Sequence, residues 1–179
     1  MIKNFRDILA GLLIAIFTTT SWADKLADIN QELIKKYPTV KHISAEELKN
    51  QLNVQNRSDV IVFDVRESEE YAVSHLDGAI RIDPSIKTDD FFKEFDDVLK
   101  GKTVVFYCSV GRRSSQLINR LETTDNSDKS IEMLNLEGGI FRWTNDTLPV
   151  DGVGVHPYNW YWSRLIDDKS KIYYSPLKQ

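Results

Sequence analysis

Apolar and polar residues change rhythm several times along the chain. From Asp24 to Lys36 the apolar positions are Leu26, Ile29, Leu33 and Ile34, which share one helical face, and Tyr37-Pro38 ends the run. Val40 to Ile43 reads as a short strand. Ser44-Ala45-Glu46-Glu47 is a capping box opening a helix that reaches about Leu52. Asp59 to Arg66 is a continuous apolar run rich in β-branched residues with charged ends, the pattern of a strand covered on both faces. Ser68 to His75 suits a short helix with Ser68 as its N-cap. Gly78 to Ile82 reads as a turn and a strand. Asp89 to Leu99 reads as a helix with Phe91, Phe92, Phe95 and Leu99 on one face. Lys100-Gly101-Lys102 is a turn, Thr103 to Tyr107 a second buried strand, Cys108 to Arg113 a loop and Ser114 to Leu121 a helix. Met133 to Leu136 is the last strand, and Gly138-Gly139 opens a helix containing Trp143. Strand and helix alternate from Val40 to Trp143, which predicts an α/β domain with a central parallel sheet and helices on both faces. In such sheets, sites form where loops leave the carboxyl ends of strands, and the Cys108 loop lies there.

The two ends do not follow this rhythm. Met1 to Arg6 carry Lys3 and Arg6, an apolar run spans Ile8 to Phe17, and Ser21-Trp22-Ala23 places small residues before a cut. The pattern predicts a signal peptide over residues 1–23. Its apolar centre is well short of the roughly 20 residues that span a bilayer, so no stable membrane span is expected. The protein is then exported, to the periplasm in a Gram-negative cell and otherwise secreted. The expected organisation is a leader helix over 24–38, a domain over 39–150 and an aromatic extension over 151–179. That extension holds Tyr158, Trp160, Tyr161, Trp162, Tyr173 and Tyr174. It either packs on its own domain, where aromatics bury large areas, or forms a contact site for a protein partner, a second subunit or a lipid interface.

With 179 residues, 41% of them hydrophobic, the chain supports one domain with a real core. A formal net charge of −4 gives no electrostatic reason to bind nucleic acid. The chain has 1 cysteine, so an exported form makes no internal disulfide. A free thiol in an oxidising compartment is a liability unless buried or used, which directs attention to Cys108.

Cys108-Ser109-Val110-Gly111-Arg112-Arg113 joins a strand to a helix. A helix N-terminus brings free N–H groups and partial positive charge. Loop amides can converge on one point as an anion-binding nest. Arg112 and Arg113 add permanent charges, and Gly111 permits a tight turn. All of these favour thiolate, the nucleophilic form, so Cys108 is the candidate catalytic residue and Ser109 to Arg113 its candidate substrate-binding loop. The competing reading is a small buried cysteine ending a core strand.

Four motifs in order resemble the rhodanese family: Asp64-Val65-Arg66-Glu67; Glu70-Tyr71 leading to His75-Leu76-Asp77-Gly78-Ala79; the Cys108 to Arg113 loop; and Leu136-Glu137-Gly138-Gly139-Ile140 with Trp143. The resemblance covers roughly residues 39–150 and implies the three-layer rhodanese-like fold. It also implies a sulfurtransferase in which Cys108 takes sulfane sulfur from a small donor such as thiosulfate and passes it to a thiol or cyanide-like acceptor, with no metal or organic cofactor. The position directly after the cysteine, often arginine in thiosulfate-using members, is Ser109 here. With no second cysteine to resolve a persulfide, the acceptor must be external.

Other residues invite weaker readings. Asp64 and Arg66 at a strand end suit a structural clamp supporting the site. The family motif places His75 in a structural turn. His42, His75 and His156 lack metal-ligand spacing, and Gly138-Gly139 is too little for a phosphate loop. Two alternatives remain. One is a low-turnover binding module of the same fold. The other is a phosphatase or arsenate reductase, which needs five residues between cysteine and arginine where this loop has four.

Overall fold

The computed structural model describes residues 22–53, 57–124 and 131–176. The signal segment expected over residues 1–23 falls almost wholly outside them. In order the chain forms α1 (Trp22–Lys36), β1 (Lys41–Ile43), α2 (Ala45–Asn53), β2 (Val60–Asp64), α3 (Ser68–Val73), β3 (Ser74–His75), β4 (Ile80–Arg81) and α4 (Thr88–Leu99). Then come β5 (Thr103–Tyr107), α5 (Arg112–Glu122), β6 (Glu132–Leu136), α6 (Gly139–Asn145) and β7 (Asp151–Gly152). Two 3-10 turns follow, Trp162–Leu165 and Lys169–Lys171.

Five strands form a parallel sheet in the order β1-β6-β5-β2-β4. The two continuous apolar runs are its central strands β2 and β5, because only strands covered on both faces bury every side chain. Alternation along them sorts the core into two layers. Phe63, Val104 and Phe106 face α4 and α5, where Phe91, Phe95, Leu117 and Leu121 meet them. The Phe63 ring sits 4.9 Å from Phe95 and 5.4 Å from Phe91, both edge to face, a favoured aromatic geometry. Val62, Val105 and Tyr107 face the other way, onto α1, α2 and α6. The resulting three layers are the predicted architecture.

Three local expectations are corrected. The helix expected over Ser68 to His75 stops at Val73, and Ser74 and His75 pair antiparallel with Gly152 and Asp151 of β7. The extension supplies that strand, so no local signal could reveal it. The N-cap of α3 is Glu67 rather than Ser68, and its amide donates to Glu70 Oε2 at 3.1 Å. Arg112 and Arg113, expected in the loop, form the first turn of α5.

The extension packs on its own domain. Val155, Leu165 and Ile166 are buried in the same core layer as Leu26, Ile29 and Leu33 of α1. Asn145 of α6 fastens it, donating to the Leu165 carbonyl at 2.8 Å and accepting from the Asp167 amide at 3.0 Å.

Candidate active site

The alternation of β5 carries one residue past the strand. Cys108 continues the side of Val104 and Phe106 and is 1% exposed. The chain then turns through Ser109, Val110 and Gly111 into α5. Gly111 has φ +91°, and a Cβ there would lie 3.0 Å from Asn135 Nδ2, so both backbone and space favour glycine. The turn aims the first amides of α5 back at the sulfur. The Val110 and Ser114 amides face Cys108 Sγ and favour its charged form; the Ser114 amide is one of the α5 first-turn donors that have no partner in the helix.

The other side of the loop is held by α6. The Ile140 amide donates to the Cys108 carbonyl at 2.9 Å, and the Phe141 amide to the Ser109 carbonyl at 3.1 Å. This approach requires Gly139, where a Cβ would fall 2.2 Å from the Cys108 carbonyl oxygen. The Gly138-Gly139 pair therefore clamps the cysteine loop.

Burial pushes the Cys108 thiol up, but the Arg113 guanidinium and the two amides outweigh it, so the thiol sits below the ordinary cysteine range. The Ser114 hydroxyl also faces the sulfur. Its single proton is drawn to Asn135 Oδ1, 2.6 Å away, which leaves Arg113 and the amides as the main cause.

Arg113 is fixed by Glu70. Nη1 donates to Glu70 Oε2 at 2.7 Å and Nη2 to Oε1 at 2.8 Å, a bidentate pair. Ser109 Oγ donates to Glu70 Oε1 at 2.7 Å and accepts from Arg113 Nη2 at 2.9 Å. Burial pushes the Glu70 carboxyl up; Arg113, Ser109 and the Glu67 amide pull it further down, so it is ionised. Sequence reasoning missed Glu70 as a site residue. Its sequence signal is a Glu67-x-x-Glu70 helix start, which says nothing about an arginine 43 positions away.

Arg112 is exposed and pairs with Glu32 of α1 at 2.7 Å. Asp64 and Arg66 do not line the cysteine cavity. Both are wholly buried, with Arg66 Nη2 donating to Asp64 Oδ2 and to the Ser74 carbonyl, each at 2.6 Å. Tyr107 Oη donates to Asp64 Oδ2 at 2.6 Å and accepts from the Leu76 amide at 3.0 Å. Burial opposes the Arg66 charge, and Asp64 more than restores it. The five residues tie the carboxyl ends of β2 and β5 to β3 and the residue after it. His75 stacks on Tyr71 with ring centroids 3.9 Å apart. Among the described residues, no three His, Cys, Asp or Glu side chains form a group that could hold a metal ion.

A cavity of about 190 Å³ opens over Cys108, walled by Arg112, Arg113, Tyr158 and Trp162. Sequence reasoning read these two aromatics as core cover or a partner contact and not as walls of the cysteine cavity, because nothing local connects the extension to the cysteine loop. The Tyr158 ring lies 5.1 Å from the Arg113 guanidinium, in cation–π contact. The Tyr158 amide donates to His156 Nδ1 at 3.0 Å and its φ is +66°. The arrangement can hold a sulfur anion on Cys108 among donors, next to a partly apolar mouth.

Residues 44–146 match the Rhodanese-like domain family. A probable molybdopterin-synthase adenylyltransferase from Porphyra purpurea is 26% identical over 159 residues, covering 81% of this chain and 40% of that protein. A tRNA uridine(34) hydroxylase from Bacillus velezensis is 31% identical over 110 residues, 60% of this chain and 32% of that one. The chain thus spans well under half the length of these curated relatives. A crystal structure of thiosulfate sulfurtransferase from Pseudomonas aeruginosa superposes with a TM-score of 0.53 at 17% identity, over 71% of this chain and 23% of that one, a likeness of fold.

Proposed function

This chain belongs to the rhodanese-like domain family, and from that premise we propose that it is a sulfurtransferase that carries sulfur on Cys108. Family membership supports a sulfurtransferase-type or related function. The single observation that carries the finer reading is the setting of Cys108: a buried thiol drawn below its ordinary range by Arg113, which the buried Glu70 holds in place.

The reaction is a double displacement. The Cys108 thiolate attacks the outer sulfur of a sulfane donor, the new Sγ–S bond forms, and the donor's bond to that sulfur breaks with its electron pair leaving on the remainder. With thiosulfate the products are Cys108 persulfide and sulfite. The same amides and guanidinium that favour the thiolate hold the persulfide anion. A thiol or cyanide then attacks the outer sulfur and releases Cys108 as thiolate. The cycle needs no metal or organic cofactor. The acceptor is external, since no second cysteine exists in the chain.

We place this activity outside the cytoplasm, on the signal-peptide pattern of residues 1–23. N-terminal sequencing of protein recovered from an export-competent host should then begin at Asp24; a start at Met1 contradicts export with cleavage.

Thiocyanate formation from cyanide with thiosulfate or an organic hydropersulfide tests the activity. The wild type should turn over with at least one donor, and Cys108→Ser should lose at least about 10³-fold, as covalent nucleophiles do when removed. Equal turnover by Cys108→Ser overturns the mechanism.

A further inference from the structure

Two segments outside the family match meet at the mouth of the cysteine cavity. α1 precedes residue 44 and supplies Glu32; the extension follows residue 146 and supplies Tyr158 and Trp162. They pack on each other, with Leu165 buried against the α1 face that carries Leu26 and Ile29. The entrance to Cys108 is therefore built in part from residues outside the family match.

Its electrostatics do not suit a dianion. Arg113 is paired with Glu70 at 2.7 Å and has Glu67 at 3.9 Å, and Arg112 is paired with Glu32 at 2.7 Å. Both cations are compensated, and the Cys108 thiolate adds a further negative charge. An approaching inorganic dianion meets more negative than positive charge at short range. The Tyr158 ring also lies against Arg113, and Trp162 and Val110 present apolar surface. Arg112 and Trp162 are shared with a second groove of about 320 Å³ between α1 and the Trp162–Leu165 turn.

We propose that the extension makes Cys108 selective for carbon-bearing hydropersulfides, R–S–SH with an aromatic or alkyl R, over thiosulfate. This rests on the reading of Cys108 as the sulfur acceptor. The thiolate attacks the outer sulfur, Sγ–S forms, the donor S–S bond breaks, R–S⁻ leaves with the electron pair, and the proton stays on the transferred sulfur. The R group sits on Tyr158 and Trp162, where an aromatic pair contributes beyond its buried area.

The test is the rate of Cys108 persulfide formation by quenched-flow mass spectrometry on the full chain, with benzyl hydropersulfide and with thiosulfate. Each rate is divided by that of N-acetylcysteine to remove intrinsic donor reactivity. The normalised preference for the benzyl donor should be at least about tenfold. Trp162→Ala and Tyr158→Ala should each slow the benzyl donor about three- to tenfold and lower its preference over thiosulfate by a similar factor. Tyr158 is 51% exposed, so its truncation removes little core packing and keeps the test open if the Trp162 variant does not fold. Glu32→Gln frees Arg112 and should speed thiosulfate severalfold at low salt, an effect that shrinks as salt rises. No normalised preference, or equal slowing of both donors by the aromatic variants, overturns the selectivity. Loading by thiosulfate alone overturns it while leaving Cys108 as the sulfur acceptor. Loading by neither donor removes that reading as well.

Discussion

Cys108 lies under two opposing effects, burial that favours the neutral thiol and Arg113 that favours thiolate, and Arg113 with its amide helpers wins. Removing the charge should reverse the balance. In Arg113→Ala, the pH midpoint of Cys108 alkylation by iodoacetamide should rise above that of the wild type. An unchanged midpoint would mean that the amides alone set the thiol. Glu70 contributes to stability through the same pairing. Its folded value is depressed, so its contribution is present above its unfolded value of about 4.3 and is lost as pH falls through the folded value. Glu70→Gln should cost about 1–3 kcal/mol at pH 7, and the deficit against the wild type should shrink below about pH 4. Urea midpoints at the two pH values check this. Cys108 and Arg113 were legible in the sequence because one loop brings them together. Glu70 was not, because the contact closes over 43 residues and a carboxylate in a helix's first turn has an adequate local explanation.

Among the elements, the starts of α5 and α6 converge on one loop, from opposite sides. The first turn of α5 turns the Ser114 amide toward the sulfur, and that of α6 donates the Ile140 and Phe141 amides to the carbonyls of Cys108 and Ser109. Gly139 is where α6 comes up against the loop's carbonyls. Gly139→Ala should destabilise the protein by at least about 2 kcal/mol, from both the left-handed backbone and the overlap with the Cys108 carbonyl. Thermal unfolding checks this, and residual folded protein should alkylate Cys108 abnormally. Central strands were readable because continuous apolar runs have few other uses. The ends of α3 and α5 were displaced by tertiary partners: β7 recruits Ser74 and His75, and Gly111 lets the helix begin two residues sooner than Ser114.

The whole molecule extends beyond the strand–helix rhythm on which its fold is legible. α1 and the extension complete the layer below the sheet and also form the entrance to Cys108. If the extension is integral to the core, Ile166→Ala should cost about 2–5 kcal/mol, the usual loss for truncating a fully buried isoleucine. Denaturant unfolding checks this, and a loss below about 0.5 kcal/mol would mark the extension as a separable appendage. Aromatic composition identified this segment as something that must be covered. It could not say what covers it, because buried area carries no address.

The most direct test is the intact mass of the wild type and Cys108→Ser after exposure to thiosulfate and to benzyl hydropersulfide, then to cyanide. The mass should rise by one sulfur atom on the wild type alone, with at least one donor, and return to its starting value as cyanide removes the outer sulfur. No added sulfur from either donor, or equal gain on Cys108→Ser, would contradict Cys108 as the sulfur carrier.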